Sequence, residues 1–192
     1  VICTSFVRLA AVTAAVLAFA TGPAAAALKP GAAAPLFSTE ASLGGKDFSF
    51  DLSAALAKGP VVLYFYPAAF TSGCTIEAHD FADAIGDYRK LGATVIGVSG
   101  DDIKTLDKFA VSECRSKFAV ASDADHKISR AYDAMLGFGP VAYSDRTSYV
   151  IARDGKIAYA YRSLDPGRHV ANTLAALRSL ESPGAEASPA SR

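Results

Sequence analysis

Six apolar side chains run without a break at 61–66 (VVLYFY). Such a run predicts a strand buried on both faces. Gly59-Pro60 punctuates the chain before it, and Pro67 ends it, because proline has no N–H to give to a sheet ladder. A second run, ATVIGVS at 93–99, predicts another buried strand. Between the two, Ile76, Phe81, Ile85 and Tyr88 fall near one helical face and predict a helix from about Cys74 to Leu91, closed by Gly92. Further on, Ile103, Leu106 and Phe109 predict a helix from Asp102 to about Glu113. The pattern then predicts a short strand at 117–121 and a short helix at 126–135. Strands at 147–152 and 156–161 are joined by the turn signal Arg153-Asp154-Gly155. Pro166-Gly167 opens a last helix that reaches Leu180. Upstream, Phe48-Ser49-Phe50 predicts a short strand and Ser53 the cap of a short helix through Lys58. The Pro-, Gly- and Ala-rich stretch 28–47 reads as irregular.

The alternation of strands and helices, followed by a late hairpin, predicts an α/β domain. A thioredoxin-like fold fits it, with a central mixed sheet flanked by helices. The 192 residues are 51% hydrophobic and 20% charged, which excludes a disordered chain. Nineteen basic residues balance nineteen acidic ones, and no basic run exceeds Arg89-Lys90, so the chain offers no nucleic-acid or polybasic membrane surface. The first residues read as an export signal. Arg8 precedes an apolar run at 9–20 (LAAVTAAVLAFA), and four alanines at 24–27 supply the small residues of a cleavage site. The alternative is a membrane anchor, but the run is shorter than the ~20 residues a spanning helix needs. The expected organisation is a signal peptide over 1–27, one domain over 28–181 and a disordered tail over 182–192. The expected location is outside the cytoplasm, in a bacterial periplasm.

Cys3 is expected to leave with the signal, so Cys74 and Cys114 would remain. Two cysteines are too few for a disulfide-stapled scaffold, which raises the weight of a redox role. Cys74 falls just past the buried strand, at the start of a helix, where unpaired N–H groups and the helix dipole favour an anion. A thiolate is favoured there, and the thiolate is the nucleophile. Gly73 lets backbone approach closely, and Thr71 places a hydroxyl near the sulfur. The bland reading of Cys74 is a small buried hydrophobe.

The stretch Pro67-x-x-x-Thr71-x-x-Cys74 resembles the active-site motif of the peroxiredoxins. Thr75, Glu77 and Phe81 continue it in the manner of the Q subgroup, the bacterioferritin comigratory proteins. The likeness extends over about 30–180, through Gly97-Val98-Ser99 with Asp101, Ser122-Asp123 and Arg146-Thr147. It implies a cofactor-free thiol peroxidase. Cys74 would attack hydrogen peroxide or an organic hydroperoxide and become a sulfenic acid, and a thioredoxin-like or small thiol would restore it. The resemblance also implies that Pro67 shields the site, Thr71 bonds the peroxide and Arg146 is the active-site cation. Glu77 either holds that arginine or is a first-turn carboxylate favoured by the helix dipole. An arginine at 146 is otherwise a surface ion-pair partner.

Many Q-type proteins carry a second cysteine five residues after the first. His79 stands there instead and reads as a helix-surface residue. Cys114 is then the candidate resolving cysteine, against the alternative of an idle buried thiol. His126 and His169 carry no pattern. A thioredoxin-type oxidoreductase would need a C-x-x-C pair, and residues 71 and 77 are Thr and Glu. A copper-handling module would need clustered cysteines and histidine. A chaperone-like module without turnover stays open, as does the choice between monomer and dimer.

Overall fold

The structure, a computed structural model, describes residues 27–137 and 142–181. The expected tail and all but the last residue of the expected signal lie outside the described residues. A seven-stranded mixed sheet forms the middle layer. Its strands are β1 (Ser38–Leu43), β2 (Lys46–Asp51), β3 (Val61–Phe65), β4 (Thr94–Ser99), β5 (Ala119–Ser122), β8 (Thr147–Ile151) and β9 (Ile157–Arg162), in the order β2-β1-β5-β4-β3-β8-β9. The central strands β5, β4 and β3 are parallel, while β1, β2, β8 and β9 each pair antiparallel. Two short strands, β6 (Met135–Leu136) and β7 (Tyr143–Ser144), pair apart from the sheet. The helices are α1 (Leu52–Lys58), α2 (Ser72–Lys90), α3 (Ile103–Ser112), α4 (Lys127–Ala131) and α5 (His169–Glu181).

Strand alternation splits the core in two. Val62, Tyr64 and Tyr66 point into a cluster with Ala78, Phe81 and Tyr88 of α2, Leu106 and Phe109 of α3, and Leu174 and Leu177 of α5. Val61, Leu63 and Phe65 point the other way, toward Leu52 and Leu56 of α1 and Ile128 of α4. Every residue of β3 is buried, as a continuous apolar run on a central strand requires. Gly97, beside Tyr64 in the register, makes room for that ring: a Cβ there would stand 2.7 Å from Tyr64 Cζ. Phe81 of α2 stacks on the same ring with centroids 4.3 Å apart, so α2 is docked on β3 through this pair.

Several expectations change. Residues 38–43 form β1 rather than irregular chain. The Gly44-Gly45 turn has positive φ at both positions (57° and 77°), which suits a two-residue hairpin. The strand escapes the hydrophobic pattern because its main-chain bonds to β2 and β5 define it, while Leu43 and Phe48 of the hairpin face solvent. Asp51, not Ser53, caps α1 by accepting from the Ala54 N–H. Ile76 points outward, and the buried face of α2 is instead Cys74, Glu77, Ala78, Phe81, Ala82, Ile85 and Tyr88. The helix expected at 126–135 shrinks to α4, because Asp133 turns left-handed (φ 51°) and Met135 enters β6. A 3-10 turn, Pro166–Arg168, precedes α5.

Phe81→Ala is expected to cost about 3–5 kcal/mol of stability through the lost burial and the cavity left behind. Chemical denaturation measures it. A loss below about 1 kcal/mol, the size of a minor volume-conserving change, would show that α2 does not depend on this stack.

Candidate active site

The site is assembled where β3 ends and α2 begins. Pro67 leaves the strand half-buried, and the loop behind it is tied to β4: Ala69 N–H donates to Asp101 Oδ2 at 2.7 Å, and Ser99 Oγ donates to the same oxygen. Phe70 takes a left-handed conformation (φ 63°), uncommon for an aromatic residue, with its ring edge-on to Phe109. Thr71 is the N-cap residue of α2. Its hydroxyl does not cap the helix but donates to Ala68 O at 2.9 Å. Cys74 is therefore the third residue of the helix, among the N–H groups that have no partner within it. The thiol is 2% exposed.

Arg146 reaches the site from the residue before β8, buried to 4% exposure. It makes three contacts. Nη2 donates to Cys74 Sγ at 3.3 Å, Nη1 to Glu77 Oε2 and Nε to Leu164 O at 3.0 Å. Gly73 is needed at this approach, because a Cβ there would lie 3.0 Å from Nη2. The structure thus places Glu77 against Arg146, and it places Arg146 in the interior and not on the surface. Glu77 is fully buried. Burial pushes its carboxyl up to about 8, while Arg146 pulls the other way.

Behind Glu77 lies a residue without a signal in the sequence. His169, the first residue of α5, is fully buried. Its Nδ1 is 2.7 Å from Ser148 Oγ and 3.5 Å from Glu77 Oε1, and its Nε2 is 3.0 Å from Ser163 O. Burial holds it down at about 4. No local spacing marks it, since 92 residues of chain separate it from Glu77 and only the sheet brings them together.

Cys114 is also buried, just past α3, in the same apolar cluster as Cys74. Burial pushes its thiol up. The two cysteines are not bonded to each other. His79 is half-exposed on the surface of α2, and its Nε2 lies 2.8 Å from Glu113 Oε2, next to Cys114. The Ser122-Asp123 pair is structural: both Asp123 oxygens accept from the start of α4, at Ile128 and Ser129. His126, left-handed at the N-cap of α4, approaches Gly100 and not Cys74's helix.

A mixed sheet between helices, with a lone cysteine at a helix start and an arginine on its sulfur, is the thioredoxin-like arrangement of a thiol-based protein. Residues 30–160 match the family described as AhpC/TSA. A chloroplastic peroxiredoxin Q from Triticum aestivum is 38% identical over 123 residues, 63% of this chain and 55% of its own length. The structure of peroxidoxin BcpB from Mycobacterium tuberculosis superimposes with a TM-score of 0.73 at 30% identity, covering 80% of this chain and 98% of that one. A bacterioferritin comigratory protein from Xanthomonas campestris, studied for its alkyl peroxide reduction activity, gives a TM-score of 0.69 at 30% identity, covering 80% and 96%. The chain belongs to the AhpC/TSA family, in its peroxiredoxin Q and bacterioferritin comigratory group. It spans a little over half the length of the chloroplastic relatives it matches.

The buried pair sets a pH dependence of stability. Glu77 ordinarily titrates at 4.5, so between 4.5 and about 8 the folded protein holds a proton that the unfolded chain has lost. Its contribution therefore falls as pH rises through that window. His169 ordinarily titrates at 6.5, so between about 4 and 6.5 the unfolded chain holds the extra proton, and its contribution rises with pH. The two oppose each other from 4.5 to 6.5, and the loss from Glu77 stands alone from 6.5 to about 8. Denaturation at the two ends of this upper window is expected to show a loss in the native protein that Glu77→Gln reduces. An equal loss in both proteins would place the titration elsewhere.

Proposed function

We propose that the chain is a thiol peroxidase that reduces hydrogen peroxide and organic hydroperoxides at Cys74. The observation that carries this reading is the buried Arg146 Nη2 hydrogen bond to Cys74 Sγ. A guanidinium donating to sulfur favours the thiolate, and the same charge opposes the negative charge that builds on the departing oxygen. The thiolate attacks the terminal oxygen of R–O–O–H. An S–O bond forms, the O–O bond breaks, and the alkoxide leaves to take a proton as ROH. Cys74 is left as the sulfenic acid. The Thr71 hydroxyl spends its hydrogen on Ala68 O, so its lone pairs are the ones available to accept the peroxide O–H. Pro67, half-buried just past β3, is the proposed shield of the site.

Cys114 is the proposed resolving residue. Its thiol condenses with the sulfenic acid, an S–S bond forms and water leaves. A dithiol of the thioredoxin type, or small thiols, then returns two electrons and two protons. A disulfide needs Cα atoms within about 7 Å. Both thiols are buried and unbonded, and in this proposal local opening of the segments that carry them brings the sulfurs within reach. Export to an oxidising compartment, read from residues 1–27, belongs to the same proposal. The rival metal-binding reading wants clustered ligands, and among the described residues no group of three His, Cys, Asp or Glu side chains is placed to hold an ion. No helix among them is long and apolar enough to cross a membrane.

Cys74→Ser is expected to abolish hydroperoxide consumption with a dithiol reductant while keeping the fold; near-native turnover would end this reading. Arg146→Ala should slow the second-order reaction with peroxide by roughly 10²-fold, the scale of one lost electrostatic contact. Stopped-flow mixing reads this, and an unchanged constant would assign the charge to another group. One equivalent of peroxide followed by peptide mapping should yield a Cys74–Cys114 linked peptide. Sulfenic or sulfinic acid on Cys74 with Cys114 still free would instead make this a one-cysteine enzyme.

A further inference from the structure

Glu77 presents two oxygens to the buried interior, and Arg146 satisfies one of them. The other, Oε1, has no hydrogen-bond partner among the described residues, although it is buried. His169 Nδ1 faces it at 3.5 Å, too long for a formed bond. The ring orientation is decided at its far side. Nε2 lies 3.0 Å from Ser163 O, a carbonyl that can only accept, so Nε2 carries a hydrogen. In the neutral ring, Nδ1 is then a lone pair. That lone pair accepts from the Ser148 hydroxyl at 2.7 Å and faces Glu77 Oε1 across 3.5 Å, so Oε1 is the atom left without a partner in a buried gap, which one proton relieves whether it sits on the carboxyl or on the ring.

We propose that His169 is a positioning residue for the chemistry of Cys74: its Nδ1 and Glu77 Oε1 share one proton, and with that proton in place the charge of Arg146 is left to the Cys74 sulfur and the oxygen departing from it. The proposal rests on the peroxidase reading. Burial raises Glu77 and lowers His169, so the shared proton resides on the carboxyl near neutrality. Other groups bear on the pair from each element packed around it. Arg146 pulls Glu77 and His169 both downward. Asp80, further along α2, pushes Glu77 up, and Asp165, ahead of the 3-10 turn, pushes His169 up. The phenols of Tyr64 on β3 and Tyr88 on α2 feel the Glu77 charge, and burial keeps both neutral. Tyr161 contributes a ring edge against His169 with centroids 4.8 Å apart, and Ser148 Oγ holds Nδ1 from β8.

The consequence follows from charge. While the pair holds its proton, Cys74 as thiolate and Arg146 as guanidinium are the charged partners, and they compensate one another. Once the proton is lost, a carboxylate joins them, and Arg146 divides its charge between two anions. The reaction with peroxide is then slower, because less positive charge is left for the departing oxygen.

The test is the second-order rate of sulfenic acid formation by the full chain with hydrogen peroxide, followed from pH 6 to about 9.5, a range bracketing the titration. The native protein should lose rate on the alkaline side as the pair gives up its proton. His169→Gln keeps a donor for Ser163 O but replaces the basic ring nitrogen facing Oε1 with a far less basic amide, and should move that decline down by about one pH unit, a tenfold loss of proton affinity. In Glu77→Gln the decline should vanish, and adding His169→Gln should then change nothing further. A rate lowered equally at every pH, a profile that superimposes on the native one, or a shift upward would each overturn the proposal. If the variants fail to fold, nitrogen NMR of the native protein decides. The expected spectrum shows the Nε2–H tautomer of His169, with the Nδ1 signal moving as Glu77 ionises. An Nδ1–H tautomer, or a signal indifferent to pH in that range, would overturn it. The NMR reading needs no peroxide, so it stands even where Cys74 proves not to be a peroxidase nucleophile.

Discussion

The site depends on one buried guanidinium. Arg146 is nearly sealed from water, and a charge in that position persists when its hydrogens are taken and its charge is answered. The structure provides for both. Leu164 O takes Nε, Glu77 takes one terminal nitrogen and Cys74 the other. Burial pulls against its charge, but Glu77 and Cys74 hold its proton more firmly than usual. The three partners come from α2 and from the chain after β9, so the arginine also ties the start of α2 to the β8–β9 side of the sheet. Around it the backbone yields: Gly73 has no Cβ because the guanidinium needs the space. The two β8 residues that follow Arg146 are polar as well, with Thr147 accepting from Arg162 Nε. Thr147 and Ser148 are fully buried in a strand that is otherwise apolar, and Ser148 turns its hydroxyl to His169.

The central strands were legible because a continuous apolar run on a two-sided sheet leaves no other reading. The same holds for Cys74, whose place after Pro67 and before an apolar helical face marks a helix start from sequence. Arg146 and Glu77 became legible through the family resemblance, since 69 residues of chain separate them and spacing says nothing of their contact. What stayed hidden follows a common rule. The β1–β2 hairpin is made by main-chain bonds at one end of the sheet, and most of its side chains face water while Ala41, Ser42 and Phe50 are buried, so its hydrophobic pattern is weak, although Gly44-Gly45 was a usable turn signal. Ile76 was misplaced because Glu77, a buried carboxylate, occupies the inward position that apolar periodicity assigns to a hydrophobe. His169 was invisible because its meaning lies in a neighbour on another element.

The two cysteines have been given opposite surroundings within one apolar cluster. Cys74 has a cation and a helix start, whereas Cys114 has neither and is held as a thiol by burial. That asymmetry suits a nucleophile and a reserve. It also keeps the reserve from reacting first, because an attacking thiol needs its anion.

The segment that carries Cys114 is strapped to α2 by contacts of a particular kind. His79 meets Glu113, Asp83 meets Arg115, and Lys117 donates to Ala82 O. The ion pairs lie partly in water, where each contributes little. Arg115 and Ser116 are both left-handed, at φ of 51° and 55°, a conformation that costs non-glycine residues energy and persists only while the surroundings enforce it. The end of α3 therefore carries backbone strain and weak straps, while the start of α2 is held by Arg146. On the proposed reaction that hold is conditional. Its strength on the Cys74 side comes from attraction between guanidinium and thiolate, and oxidation to a neutral sulfenic acid removes the anion. The chemical step therefore loosens the grip on α2 at the moment when the resolving thiol has to reach it. Rigidity before peroxide arrives and opening afterwards then arise from one charge on one sulfur.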